Sequence, residues 1–186
     1  MYPSMQVDLD VDHSLNLSRA LNKRELDVAF LVDPSVDDRV RLGAICPVRM
    51  IWIAGAKYKL PKGTVGPQHL QDEQLLTLPA PSTTYSMIES WFARAGLRAR
   101  KRSTCNSMNM IVSLAVANCG ISTVPQCIVL HELKSGLLRR IQTQPELPSH
   151  SLYAAYQLSR FKSGLREVVS MEREEVMRHE AFQAVL

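Results

Sequence analysis

The chain has 186 residues, 46% of them hydrophobic and 22% charged, with a net charge of +4. That length holds one large domain or two small lobes with a proper core, in an ordinary globular composition. No run of about 18 apolar residues occurs, which excludes a membrane-spanning helix, and the opening residues lack the basic start and apolar stretch of a secretory leader, so a cytoplasmic protein is expected.

Met5 to Val11 alternates apolar and polar residues, the period of a strand with one buried face. Asp12-His13-Ser14 offers helix-capping residues, and Leu17, Ala20 and Leu21 then share one helical face. Leu26 to Val32 is nearly continuous in apolar residues, as in a strand covered on both sides, so this opening reads as a βαβ unit. Val40 to Ile53 is apolar with Pro47 inside it, which makes two strands or one bent strand. A turn at Gly63 to Gly66, a short helix at Pro67 to Leu70 and a strand at Leu75 to Leu78 follow.

Ala80 to Tyr85 reads as a hydroxyl-rich loop, and Met87, Ile88, Trp91, Phe92 and Ala95 recur at helical spacing before Gly96. Arg98, Arg100, Lys101 and Arg102 form a basic patch, read as a solvated loop because no aromatic platform or groove-entering motif accompanies it. Ser107 caps a helix that carries Ile111, Leu114, Ala115 and Val116 and that stops at Gly120. Ile121 to Val124 is a strand, and Pro125 opens a short helix toward Leu133. Strands at Leu137 to Ile141 and Ser151 to Tyr156, then a charged amphipathic helix from Lys162 to about Met177, complete the pattern. The alternation of strands and helices indicates an α/β fold with mainly parallel sheets.

Cys46, Cys105, Cys119 and Cys127 show neither CxxC pairing nor zinc spacing, so reduced thiols are expected, with Cys119 and Cys127 as a weaker redox pair. His13, His69, His131, His150 and His179 are scattered, and none belongs to a nucleophile, metal or phosphate-loop motif. No catalytic residue, metal site or cofactor is therefore assigned.

Four segments share an order and spacing. Tyr2-Pro3 with the alternating strand resembles the "YP-x-V-x-L-x-V" opening of the effector-binding domain of LysR-type transcriptional regulators. Arg24-Glu25-Leu26-Asp27-Val28-Ala29-Phe30 is similar to that family's "G-x-L-D-L-A-I", with Arg24 where the family usually has Gly. Cys119 to Pro125 resembles its "G-x-G-I-x-L-L-P", and Leu133 to Leu138 its "L-x-x-G-x-L". Together these matches cover about residues 2–175.

The resemblance implies a two-lobed periplasmic-binding-protein-like (type II) fold, with lobe I at residues 1–52 plus 157–186 and lobe II at residues 53–156. It implies a small-molecule effector, a carboxylate or aromatic acid, held between the lobes. The family's ligand contacts carry over to His13 and Ser14, to Ser82, Thr83 and Thr84, to Asn106, Ser107 and Met108, and to Val124 and Pro125. Helix N-termini in this set suit an anion on physical grounds, and the bland alternative for Ser14 and Ser107 is capping alone. The family's N-terminal helix-turn-helix has no counterpart in this sequence, nor do the first strand and helix of its effector domain. Lobe I is thus expected to be incomplete, and DNA to be reached only through the missing element. A homodimer or higher homo-oligomer is implied, pairing a helix near Ser14–Arg24 with one near Ser86–Gly96, where Met87, Trp91 and Phe92 serve either that contact or the core. The alternative is a solute-binding protein of a transporter with the same fold.

Overall fold

The elements, in chain order, are α1 (Ser14–Asn22), β1 (Val28–Val32), β2 (Val40–Val48), β3 (Met50–Gly55), α2 (Pro67–Leu70), β4 (Gln74–Thr77), α3 (Thr83–Ala93) and β5 (Lys101–Thr104). There follow α4 (Met108–Val116), β6 (Ile121–Pro125), a 3-10 turn (Gln126–Val129), α5 (Leu130–Lys134), β7 (Leu138–Ile141) and β8 (His150–Gln157). They come from a computed structural model that describes residues 8–157. The chain divides into two compact units, one of residues 8–47 and 151–157, the other of residues 48–150.

The first unit is a three-stranded sheet in the order β1-β8-β2, with β1 antiparallel to β8 from Val28↔Tyr156 to Val32↔Leu152. Leu21 of α1 packs with Ala29 and Leu31 of β1 and with Val40 and Ala155. The buried side-chain amide of Gln157 donates to the Leu21 carbonyl at 2.7 Å, fixing the end of α1 to β8. Only alternate residues of β1 are buried and Phe30 is 36% exposed, so this strand is not covered on both sides as its apolar run suggested. Pro47 sits in β2, at the edge of the sheet, where a missing N–H costs no ladder bond. The apolar stretch from Val40 therefore resolves into two strands that break at Arg49. Arg24 has a φ of +66°, the left-handed region that glycine enters freely, which accounts for the glycine of the family pattern at this position.

Of the strand expected over Met5–Val11, residues 5–7 lie outside the described residues, and residues 8–11 form no strand. An alternating pattern becomes a strand only where a neighbour completes its ladder. Among the described residues nothing pairs with 8–11, and Leu9 and Val11 are 86% and 97% exposed. The Tyr2-Pro3 match and the helix expected from Lys162 also lie outside the described residues.

The second unit is a five-stranded sheet in the order β5-β4-β6-β3-β7. β4 runs parallel to β5 and β6, whereas β3 is antiparallel to β6 and β7. Four strands thus point one way and β3 alone points the other. The sheet is mixed, and the expectation of mainly parallel pairing holds only for β4, β5 and β6. The reason is connectivity: β3 brings the chain into the unit against the direction of the βα units that follow.

Every residue of β3 is buried, because helices cover both faces. On one face Trp52, Ala54, Leu75 and Ile121 pack against Ile88, Trp91 and Phe92 of α3. On the other, Ile51, Ile53, Leu76 and Val124 pack against Ile111 and Ala115 of α4. Met87, Trp91 and Phe92 are buried in this unit, which decides for core packing over a subunit contact. Only half of the basic patch is a loop, since Arg98 and Arg100 lie in the exposed segment before β5. Lys101–Thr104 is the edge strand β5, and its charge discourages further pairing. The Arg102 guanidinium lies 4.7 Å from the centre of the Tyr85 ring, donates to the Tyr85 hydroxyl at 2.7 Å and pairs with Glu89. Arg100 pairs with Asp72 at 3.0 Å. Two of the four cations of the patch, Arg100 and Arg102, are thus paired within the chain.

Candidate functional site

Two helices of the second unit start in the same way. Ser82 is extended, and its Oγ accepts the Tyr85 N–H at 3.1 Å, which starts α3 at Thr83. Ser107 is extended likewise, and its Oγ accepts the Met110 N–H at 3.3 Å, which starts α4 at Met108. Thr83 and Thr84 are accordingly the first helical residues and not part of a loop, because the Ser82 cap satisfies a donor that would otherwise need water. Thr83 is exposed, Thr84 buried, Asn106 exposed and Met108 half-buried against the Ile111 cluster.

The strands that feed these helices are neighbours. Thr77 of β4 pairs with Thr104 of β5, and the Cys105 N–H donates to the Thr77 carbonyl at 3.0 Å. Both caps therefore follow the carboxyl ends of adjacent parallel strands, the edge where open α/β sheets hold ligands. β6 ends at the same edge with Val124 and Pro125. The Val124 side chain is fully buried in the core, so only its backbone is available there. Aligned N–H groups at both helix starts supply partial positive charge, suited to a carboxylate or phosphate oxygen.

Thr77 and Thr123 belong to this edge and were not singled out from the sequence. The Leu75↔Ile121 register sets them at corresponding positions of β4 and β6. Both are buried, and neither Oγ1 has a hydrogen-bond partner among the described residues. A buried hydroxyl without a partner is uncommon enough to need a reason. The available signal was one threonine inside each apolar strand, Leu75-Leu76-Thr77-Leu78 and Ile121-Ser122-Thr123-Val124.

His13 and Ser14 belong to the first unit. His13 occupies the N-cap position of α1 but makes no side-chain cap. The Ser14 Oγ accepts the Val32 N–H at 3.1 Å, tying the start of α1 to the end of β1 instead of capping the helix. The anion at this helix start is Asp12, which accepts from the His13 N–H at 2.6 Å and from the Asn16 amide at 3.0 and 3.1 Å. The backbone bond first, and the Asn16 bond second, hold its carboxyl below the usual range.

The four cysteines form no disulfide among the described residues: Cys46 is buried, Cys105 and Cys127 half-buried, Cys119 exposed. Burial pushes the Cys127 thiol up, against weaker hydrogen bonds from its own N–H and that of Ile128. Thiol labelling at pH 8 followed by mass spectrometry is expected to modify Cys119 at least about tenfold faster than Cys127, since rate follows thiolate fraction and access. Equal rates would show that Cys127 is neither buried nor protonated as described. Among the described residues, no group of three or more His, Cys, Asp or Glu is placed to hold a metal, and no helix is long and apolar enough to cross a membrane.

The family model for the LysR substrate binding domain matches residues 1–172. No curated protein sequence matches the chain. Among solved structures, the regulatory domain of CcmR from Synechocystis PCC6803 in complex with 2-PG superposes with a TM-score of 0.81 at 18% identity, covering 96% of this chain and 86% of that one. The regulatory domain of MetR, a LysR family regulator from N. meningitidis, gives 0.78 at 17% identity, with 96% and 83% covered. A reduced form of OxyR from N. meningitidis gives 0.72 at 18% identity, with 97% and 83% covered.

Proposed function

The chain belongs to the family of LysR substrate binding domains, and on that premise we propose that it senses a small organic acid held at the carboxyl ends of β4, β5 and β6. It is the effector-binding domain of a LysR-type regulator, a ligand-sensing module and not an enzyme. The observation that carries the proposal is the pair of serine-capped helix starts on adjacent parallel strands. Ser82, Thr83 and Thr84 offer one set of donors and Asn106, Ser107 and Met108 the other. Val124 and Pro125 contribute backbone, and Thr77 and Thr123 extend the hydroxyl lining beneath. The CcmR regulatory domain solved with 2-PG supports a small ligand for this fold. We further infer that the domain works as a homodimer or higher homo-oligomer in the cytoplasm, and that DNA is bound by the helix-turn-helix of a full regulator.

Thermal melts against a panel of aliphatic and aromatic carboxylates test this. A ligand present at about a hundred times its Kd is expected to add about 2.7 kcal/mol of stability. Ser107→Asn keeps a capping side chain but fills space at the helix start, so it should abolish that gain while leaving the ligand-free protein nearly as stable. Ser107→Ala should lower the ligand-free stability by about 1 kcal/mol through the lost cap. A ligand whose gain survives both Ser107→Asn and Ser82→Asn is bound elsewhere.

A further inference from the structure

From β4 the chain passes through α3 to β5 on one side, and from β5 through α4 to β6 on the other side of β4. The two helices cover opposite faces of the sheet, so β4 and β6 flank the point where the strand order reverses. Open α/β sheets form a crevice at the carboxyl ends of such a pair, because the two connections leave in opposite directions. The pairing agrees with this. β4 and β5 stay in register from Gln74↔Lys101 to Thr77↔Thr104, whereas β4 and β6 pair at Leu75↔Ile121 alone.

Two residues further along each strand stand Thr77 and Thr123, one on either side of the crevice. Alternation along a strand puts them on the same face as Leu75 and Ile121, the face beneath α3. They are 1% and 0% exposed, and neither Oγ1 has a hydrogen-bond partner among the described residues. We propose that these two hydroxyls hold one internal water molecule between β4 and β6, beneath α3.

Size is the first argument. Neighbouring strands lie about 4.7–4.9 Å apart, too far for hydroxyls at matching positions to bond each other directly. Two O–H···O bonds of about 2.8 Å each, meeting at an angle, cover that span through a single bridging oxygen. Chemistry is the second argument. A threonine hydroxyl both donates and accepts, so the bridge needs a molecule that does both. The core around the pair is apolar, with Leu75, Ile88 and Ile121 in it, and offers no counter-charge to an ion. Water meets each condition. The third argument is energetic: a buried hydroxyl left unpaired keeps its whole desolvation penalty, and a buried water relieves about two to four such groups at once.

Thr77→Val and Thr123→Val test the assignment, since valine keeps the branched shape and strand preference of threonine and removes only the hydroxyl. Each single variant should lower the Tm of the ligand-free protein by about 3 °C or more, because the water and the remaining hydroxyl both lose a partner. The double variant releases the water, so its loss should be smaller than the sum of the two single losses. Thr123→Ser keeps the hydroxyl and should keep the same coupling to Thr77→Val. A crystal structure of the ligand-free protein should show an ordered oxygen within hydrogen-bond distance of both Oγ1 atoms, and the double variant should lack it. An unchanged or raised Tm in both single variants would overturn the proposal, as would additive losses or a crystal structure in which the two hydroxyls bond other groups. No ligand is added and neither serine cap is altered, so the outcome is independent of whether an organic acid is the effector.

Discussion

Trp52→Ala is expected to destabilise the protein by about 3–5 kcal/mol, the range for deleting a large buried aromatic side chain. Trp52 lies on β3, an interior strand of the sheet, and is among the largest fully buried side chains. Its ring is 5.1 Å from that of Trp91 and 6.3 Å from that of Phe92, and the last two stand edge to face at 5.0 Å. Such contacts add about 0.5–1.5 kcal/mol per pair beyond burial, so the cavity loses dispersion and aromatic geometry together. The whole stability of a domain is about 5–15 kcal/mol, which leaves the variant close to unfolding at room temperature. Urea unfolding followed by far-UV circular dichroism measures this without relying on the lost fluorophore. A loss below about 1 kcal/mol, the cost of an average substitution, would mean that this core is not packed as described. The tryptophan-to-phenylalanine pair sharpens the test. Trp91→Phe loses the bond from Nε1 to the Pro145 carbonyl, whereas Trp52→Phe removes a donor that has no partner among the described residues. Trp91→Phe should therefore cost more.

Where a segment forms its structure from its own neighbours, the sequence shows it. Ser107 followed by Ile111 and Ala115 is a local signal, because a cap and one turn of helix need nothing from elsewhere. The same holds for α2, which begins at Pro67, and for the apolar run of β3. What depends on a distant partner was misread. Met5–Val11 alternates convincingly, yet its described part, residues 8–11, forms no strand and pairs with none among the described residues. Lys101–Thr104 looks like a charged loop, but β4 offers it a parallel edge and Tyr85 and Glu89 receive Arg102. The direction of β3 was hidden for the same reason, since antiparallel pairing with β6 joins residues far apart in the chain, Met50 with Pro125.

The candidate site divides along the same line. Serines at helix starts are legible because their spacing to the first apolar turn is short. Thr77 and Thr123 are not, since their hydroxyls matter only once the β4–β6 register places them at matching positions. Asp12 carries a different lesson. It is two residues from Ser14, yet Asp12 and not the serine supplies the anion at the start of α1, because Ser14 is taken by the Val32 N–H. Residue type identified the position as polar, and only the fold decided which oxygen faces which donor.

Gly120→Ala and Gly55→Ala are expected to cost at least about 1–3 kcal/mol each, the usual range for forcing extra volume into a packed core. Gly120 reads as the stop signal of α4, but the residue that leaves the helix with a left-handed backbone is Asn118, at φ +60°. Gly120 is required for a different reason. A Cβ there would collide with the carbonyl oxygen of Gln74 on β4 and lie 3.0 Å from Leu76 Cγ. A Cβ on Gly55 would collide with the Ala115 carbonyl and reach within 2.5 Å of Asn118 Oδ1. That oxygen is occupied, accepting the Lys57 N–H at 3.0 Å, while the Asn118 amide donates to the Val116 carbonyl at 3.2 Å. The tightest obstacles are backbone carbonyls, or a side chain bonded at both ends, and these cannot swing aside as a flexible side chain would. Gly63 and Gly43 are the controls. Gly63 has open space but a φ of +85°, so alanine there should cost about 1 kcal/mol of backbone strain. Gly43 has its nearest neighbour at 3.9 Å and should accept alanine without loss. Thermal melts of the four variants should rank Gly120 and Gly55 as most damaging, then Gly63, then Gly43; equal effects at all four would place the cause in chain entropy and not in close approach. Because both tight glycines set how α4 lies on β3 and β4, they also set where Ser107 presents its helix start. The variants that remain folded should thus lose part of their stabilisation by carboxylates as well, whereas Gly63→Ala and Gly43→Ala keep it.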